Sequence, residues 1–307
     1  MGETHAAILD HTGEYDAHIS EQGHWVLGWK GKIPQGLSQW IPIETAAETL
    51  RGKKVTSIFI DSDKSDAQEV IPTFIKQLVD IRSLRLPSQI APSLTPDLIG
   101  PNVRALGFHG RNDRKYWKNK TITVGSQAPF EHVEYLFGDT LCYRSEARFR
   151  LQAAVFPALK MIAFTFDRKM AFEETLKDMK GLIGVSAAGF ESIGRLADVL
   201  CGRDIVSLTL GWNRELTSLE GIERFPNLRY LKITSLTKLR TLSALEALGS
   251  LEYVGIYWSK RIEDLSALLK MPHLRQIDTF GNEQHRSVWQ ALKRDAAAHN
   301  IITETML

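Results

Sequence analysis

Cysteine, net charge and long apolar runs are all scarce in this chain of 307 residues, and each scarcity removes a class of protein. The two cysteines, Cys142 and Cys201, are too few for a secreted disulfide scaffold. Neither lies beside the closely spaced Cys or His partners of a zinc site, so both are read as free thiols and no metal is expected. A net charge of +2 does not demand nucleic acid. No apolar run approaches the roughly 18 residues that signal a membrane span. Residues 1–10 lack the basic and apolar regions of a secretory signal, which makes the cytoplasm the expected compartment.

Catalytic motifs are missing too. The chain contains no G-x-G-x-x-G, Walker A, H-E-x-x-H, G-x-S-x-G or C-x-x-C. His5, His11, His18 and His24 lie near Glu14 and Asp16, but their spacing matches no single helical or strand face and reads as a solvated segment. Glu173, Glu174 and Asp178 resemble a carboxylate pair of the kind hydrolases use. They fall where a polar outer face is the ordinary explanation. The chain is therefore expected not to be an enzyme and to carry no cofactor.

What is present is a period. An apolar-x-x-apolar-x-apolar hexad opens at Leu159, Leu182, Ile205, Leu228, Leu251 and Leu274, every 23 residues. A fixed spacing of this length is the mark of a solenoid. Further apolar residues follow each hexad three apart, as in Leu216, Leu219, Ile222 and Phe225, or Leu239, Leu242, Leu245 and Leu248. That spacing suits a short helix or 3₁₀ turn crossing the back of the sheet. Proline in Phe156-Pro157, Phe225-Pro226 and Met271-Pro272 ends the return and extends the chain into the next strand.

Residues 216–233, Leu-Thr-Ser-Leu-Glu-Gly-Ile-Glu-Arg-Phe-Pro-Asn-Leu-Arg-Tyr-Leu-Lys-Ile, resemble a leucine-rich repeat of the bacterial, internalin-like type of 22 to 23 residues. The resemblance runs from about 159 to 282. Asn213 and Asn282 hold the asparagine that this type carries after the strand, and Asp167, Phe190, Leu236 and Ser259 take the matching places elsewhere. It implies an α/β leucine-rich repeat solenoid: a curved parallel sheet on the concave face, helices or 3₁₀ turns on the convex face, and a cap at each end.

Upstream, Val55/Ile58/Ile60, Ile81/Leu84/Leu86, Val103/Leu106/Phe108 and Val133/Leu136 continue the hexad at spacings of 26, 22 and 30 residues, with 26 more to Leu159. The expected organisation is an N-terminal cap over 1–50, about ten repeats over 51–282 in one array, and a capping helix with tail over 283–307. Trp25, Trp29 and Trp40 fit the packing of a small β-rich first cap. Val288, Trp289, Leu292 and Ala296 give the last helix an apolar side, beside a final strand whose pattern Thr279 interrupts.

Strand alternation directs the third, fifth and seventh residues from each start onto the concave face. The middle repeats place small residues there. The C-terminal ones place Tyr230, Lys232, Tyr253, Tyr257, Asp278 and Phe280, with Trp212 and Trp258 one place beyond the strand. Aromatics grouped with charges suit a protein-binding hot spot, and stacking of the rings on one another is the structural alternative. A second candidate is the insertion 110–120, in which Arg111, Arg114, Lys115, Lys118 and Lys120 surround Tyr116 and Trp117. Such a segment suits an acidic protein patch or a nucleic-acid strand. The near-neutral chain favours protein.

The expected function is thus non-catalytic protein binding on the concave face, with a bacterial immunity protein or inhibitor that neutralises a cognate toxin as one concrete role. The alternatives are a repeat-containing effector or signalling adaptor, and a nucleic-acid binder through 111–120.

Overall fold

A computed structural model describes residues 5–8, 18–19, 25–26, 40–42, 57–61, 75, 81–109, 121–124, 128–138, 148–165, 176–188, 190, 192–211, 213, 215–281, 286–299 and 301–305. The chain divides into two compact units, Met1–Ala17 with Val26–Phe164, and His18–Trp25 with Thr165–Leu307.

In the first unit β1 (His5–Ile8) pairs antiparallel with two later strands. A short pair, β2 (His18–Ile19) and β3 (Trp25–Val26), forms a separate two-stranded sheet, and His18–Trp25 of it belongs to the second unit. The partners of β1 are β4 (Trp40–Pro42) and β5 (Ser57–Asp61). From β5 the repeats begin, and β6 (Ser83–Pro87), β7 (Ala105–His109), β9 (Tyr135–Gly138) and β11 (Met161–Thr165) add to it in parallel. Between them, β8 (Thr121–Thr123) and β10 (Arg148–Arg150) form a separate parallel pair. The long 30-residue spacing is therefore accommodated partly as strand and not only as loop.

The second unit is more regular. Its strands are β12 (Gly184–Ala188), β13 (Ser207–Gly211), β14 (Tyr230–Thr234), β15 (Tyr253–Tyr257) and β16 (Gln276–Phe280), each parallel to the next. A sixth strand, β17 (Ile302–Thr305), follows the helix Arg286–Ala298 and pairs parallel with β16. The sequence reading left this segment as a tail. Trp289, Leu292 and Ala296 of that helix are buried.

Register explains why these hexads become strands. Val185, Leu208, Leu231, Val254 and Ile277 occupy one row of mutual partners, and Ala187, Leu210, Ile233, Ile256 and Thr279 another. Leu208, Leu231, Val254 and Ile277 are wholly inaccessible to water. Behind them run the returns, a helix at Ile193–Val199 capped by Ser192 Oγ on the Arg195 amide at 3.1 Å, then 3₁₀ turns at Ile222–Arg224 and Ser243–Ala247 and a short helix at Ser266–Leu269. Leu219, Ile222, Leu242, Leu245, Leu265 and Leu268 from these segments are buried. Parallel strands, one per turn, with short helical returns make this a leucine-rich repeat solenoid fold.

The turns after the strands need polar caps for backbone groups that leave the ladder. Buried Asn213 supplies one, its Nδ2 donating to the Phe190 carbonyl while its Oδ1 accepts from the Glu215 and Leu216 amides at 2.9 and 3.1 Å. Two repeats on, buried Ser259 does a smaller version, accepting from the Leu236 amide and donating to the Tyr257 carbonyl, both at 3.2 Å. Serine thus substitutes for asparagine at this place. Asn282 and Asp167 lie outside the described residues.

Replacing Leu231 with alanine is expected to cost about 2–5 kcal/mol, because it opens a cavity in a row with no spare space. Denaturant unfolding of the full chain measures it. A cost below about 1 kcal/mol would show that the row does not carry the fold.

Candidate functional site

Every second residue of β14, β15 and β16 points away from the core, and register sets them in rows. Tyr230, Tyr253 and Gln276 form one, Lys232, Gly255 and Asp278 the next, Thr234, Tyr257 and Phe280 the third. Glycine stands at the centre. A Cβ on Gly255 would lie 2.6 Å from the Tyr257 ring and 2.9 Å from the Tyr253 hydroxyl, so only a residue without a side chain lets both tyrosines fold inward over the sheet.

Their hydroxyls meet there, 3.1 Å apart, and that of Tyr253 donates to Asp278 Oδ2 at 2.6 Å. Gln276 Nε2 donates to the other carboxylate oxygen at 3.0 Å. The Tyr230 and Tyr253 rings stack at 4.3 Å and 2°. Lys232 Nζ sits 4.6 Å from the Tyr257 ring centroid, a distance at which the ring's negative face attracts the cation.

The sequence reading treats these tyrosines as exposed. They do face away from the core, yet Tyr230, Tyr253 and Tyr257 are only 7–8% exposed, because they cover one another and the gap at Gly255. Burial pushes the Tyr230 and Tyr253 phenols well above the usual range, and neighbouring phenol and carboxylate charges add to it. Burial also lowers the Lys232 ammonium, against the pull of Asp278. The polar atoms of this cluster are spent on each other. What it offers outward is a stiff platform.

Trp258 stands on the rim of that platform and differs from everything on it. It follows β15 directly, at φ 49, while Ser235 and Gly281 occupy the same place in adjacent repeats at φ 55 and 69. The turn is left-handed at all three, and at the first two the residue just past the strand still donates into the ladder, Ser235 to the Tyr257 carbonyl and Trp258 to that of Phe280, each at 2.8 Å. Glycine adopts this conformation freely; a bulky residue pays steric strain for it. The indole lies across Gly281, where a Cβ would come within 2.1 Å, and meets Phe280 edge-on at 5.1 Å and 86°. It remains 44% exposed. Among the described residues, Trp258 and Ile302 are the exposed large apolar side chains, and Ile302 pairs with Gln276 at the start of the same face.

Seven of the candidates, Tyr230, Lys232, Tyr253, Tyr257, Trp258, Asp278 and Phe280, are thus gathered in one cluster. Trp212 and the basic insertion with Arg111, Arg114, Lys115, Trp117 and Lys118 lie outside the described residues, as do Glu173 and Glu174. Ile302 was missed. The β-branched run Ile301-Ile302-Thr303 after Asn300 was the available signal. The first unit repeats the device on a smaller scale: Tyr135 stacks on Phe137 at 5.1 Å, Phe137 fills the space over Gly107, and Arg85 lies 6.0 Å from the Phe137 centroid. Among the described residues no group of His, Cys, Asp and Glu could hold a metal, and no helix is long and apolar enough to cross a membrane. Cys201 is an exposed free thiol, and Cys142 lies outside the described residues.

No protein-family model matches the chain. No curated protein matches it either. Among solved structures it is similar to an internalin, InlF of Listeria monocytogenes strain 4b F2365, at 14% identity and a TM-score of 0.40, over 88% of this chain and 84% of that one.

Two outcomes follow for the cluster. Gly255→Ala should drive the two rings apart and cost about 1–3 kcal/mol, seen as lower unfolding stability together with greater solvent access of tyrosine. Because the native state holds the phenolic protons of Tyr230 and Tyr253 more tightly than the unfolded chain, their contribution is intact below about pH 10 and lost as pH rises through it. Lys232, with its lowered value, carries a cost at neutral pH that is relieved on the acid side of about pH 10.5, largely before the phenols begin to titrate. Above about pH 10 the phenols therefore leave a fall in unfolding free energy, and Tyr230→Phe with Tyr253→Phe should flatten it. An unchanged profile in that double variant would assign the alkaline dependence to other groups.

Proposed function

We propose that this chain is a protein-binding solenoid that holds a protein partner on the strand face of its C-terminal repeats, with Trp258 as the anchor. Trp258 itself carries the reading. Left-handed backbone at a residue with a Cβ costs about 1–2 kcal/mol, and the next repeat uses glycine at this place without difficulty. A large apolar ring kept half in water at a strained position contributes little to folding, so an explanation in binding fits it better. The ring is braced by Phe280 and Gly281, and an aromatic with few rotatable bonds loses little entropy on docking. The buried tyrosine platform beneath adds flat, pre-organised area.

The concrete role we put forward is an inhibitor or immunity protein that neutralises a toxin by covering its active surface in the cytoplasm. Its support is the lack of catalytic motifs, the scarcity of cysteine and a repeat array whose irregularities suit a single partner. Co-expression with the product of a neighbouring toxin gene should give protection and a complex that survives nuclease treatment. No protection and no complex would remove this role.

Trp258→Gly separates binding from folding. Relief of the backbone strain offsets the lost ring contacts and the looser unfolded chain, so unfolding free energy should stay within about 1 kcal/mol of the parent. Affinity should fall by about 2–4 kcal/mol, measured by calorimetry. Full affinity in this variant would exclude Trp258 as the anchor.

A further inference from the structure

We propose that the partner seated at Trp258 presents an acidic surface and that Arg261 is the residue that reads it, an inference that rests on the protein-binding reading above. Glu215, Lys238 and Arg261 occupy one place in three successive repeats, 23 residues apart. Lys238 Nζ pairs with Glu215 at 2.7 Å, which engages the carboxylate of that column. Arg261 comes next, exposed, and among the described residues it has no carboxylate partner. In the adjoining column Arg240 and Glu263 approach only to 3.7 Å, each 66% exposed. Across the turns 213–217, 236–240 and 259–263 the described charges are Lys238, Arg240, Lys260 and Arg261 against Glu215 and Glu263. Among the described residues of these turns basic side chains outnumber acidic ones, although the whole chain carries only +2.

Trp258 rises from the same turn, three residues before Arg261. An exposed indole and an exposed guanidinium carried by one turn, the latter without a carboxylate partner among the described residues, suit a partner that offers a carboxylate near an apolar contact. The guanidinium can bind that carboxylate through two parallel hydrogen bonds, and the lowered local dielectric strengthens them. The long-range field of the rim also steers an acidic surface toward the anchor. A nucleic-acid strand suits the rim less well. Lys238 and Arg240 already face carboxylates, and the tyrosines that would stack on bases are buried against each other.

A random-peptide display library selected on the full chain tests this, run in parallel on Arg261→Glu and Trp258→Gly and followed by binding measurements on the recovered peptides. Circular dichroism and thermal unfolding first establish that both variants fold. Selected peptides should combine Asp or Glu with an aromatic or aliphatic residue and bind more weakly as salt rises. On Arg261→Glu their affinity should fall at least tenfold and fresh selections should turn toward Lys and Arg. Peptides that depend on Trp258 but show no acidic preference, or that are indifferent to Arg261→Glu, would overturn the acidic partner and leave protein binding standing. Selection indifferent to Trp258→Gly would overturn both. Binding of a random single-stranded oligonucleotide that Arg261→Glu abolishes would also overturn the proposal, in favour of a phosphate backbone.

Discussion

The repeat register is the constraint on which everything else depends. Each strand pairs in parallel with the next so that a residue meets the one a repeat away, and this in turn puts Leu208, Leu231, Val254 and Ile277 into one dry row. A slip of one residue would turn that row to water and bring Thr209, Lys232, Gly255 and Asp278 inside. Burying a lysine and an aspartate without compensation costs far more than a solenoid repeat gains, so the apolar hexad leaves one register available.

The same stacking governs the surface. Because like positions become neighbours, a charge in one repeat finds its partner in the next: Lys160 on Glu134 at 2.9 Å, Lys270 on Glu246 at 2.8 Å, and Arg229 on Glu252, whose carboxylate is mostly buried, at 2.5 Å. Exposed pairs of this kind are worth about 0–1 kcal/mol each and act mainly by disfavouring wrong neighbours. Gly255 and Gly107 show the other consequence. Where one repeat omits its side chain, rings from adjacent positions move in, and two rows of aromatics become a covered platform in place of a set of projecting anchors.

Much of this was legible in the chain. All ten hexads form strands of the parallel arrays, and in β14, β15 and β16 the residues directed away from the core by alternation are those that face away from it. The spacing of three after the strand corresponds to real 3₁₀ turns and short helices. Other features were not. Tyr253 and Tyr257 look alike in sequence to exposed anchors, and their burial follows from Gly255 together with the reach of Tyr253 to Asp278, 25 residues on. β17 has no hexad, since Thr303 and Thr305 pair at a sheet end where a full apolar set is not needed. The left-handed backbone of Trp258 is invisible beside Ser235 until Gly281 marks the place as one that glycine prefers.

From the sequence by itself came the period, the strands, the core rows and the face turned away from the core, because hydrophobic alternation is local and burial of apolar area selects a single way to satisfy it. Only the tertiary structure decided which residues of that face remain available. Availability depends on neighbours a repeat or more away, on whether a side chain is met by a ring, a carboxylate or a glycine. Those meetings close the tyrosines over one another and leave Trp258 in the open.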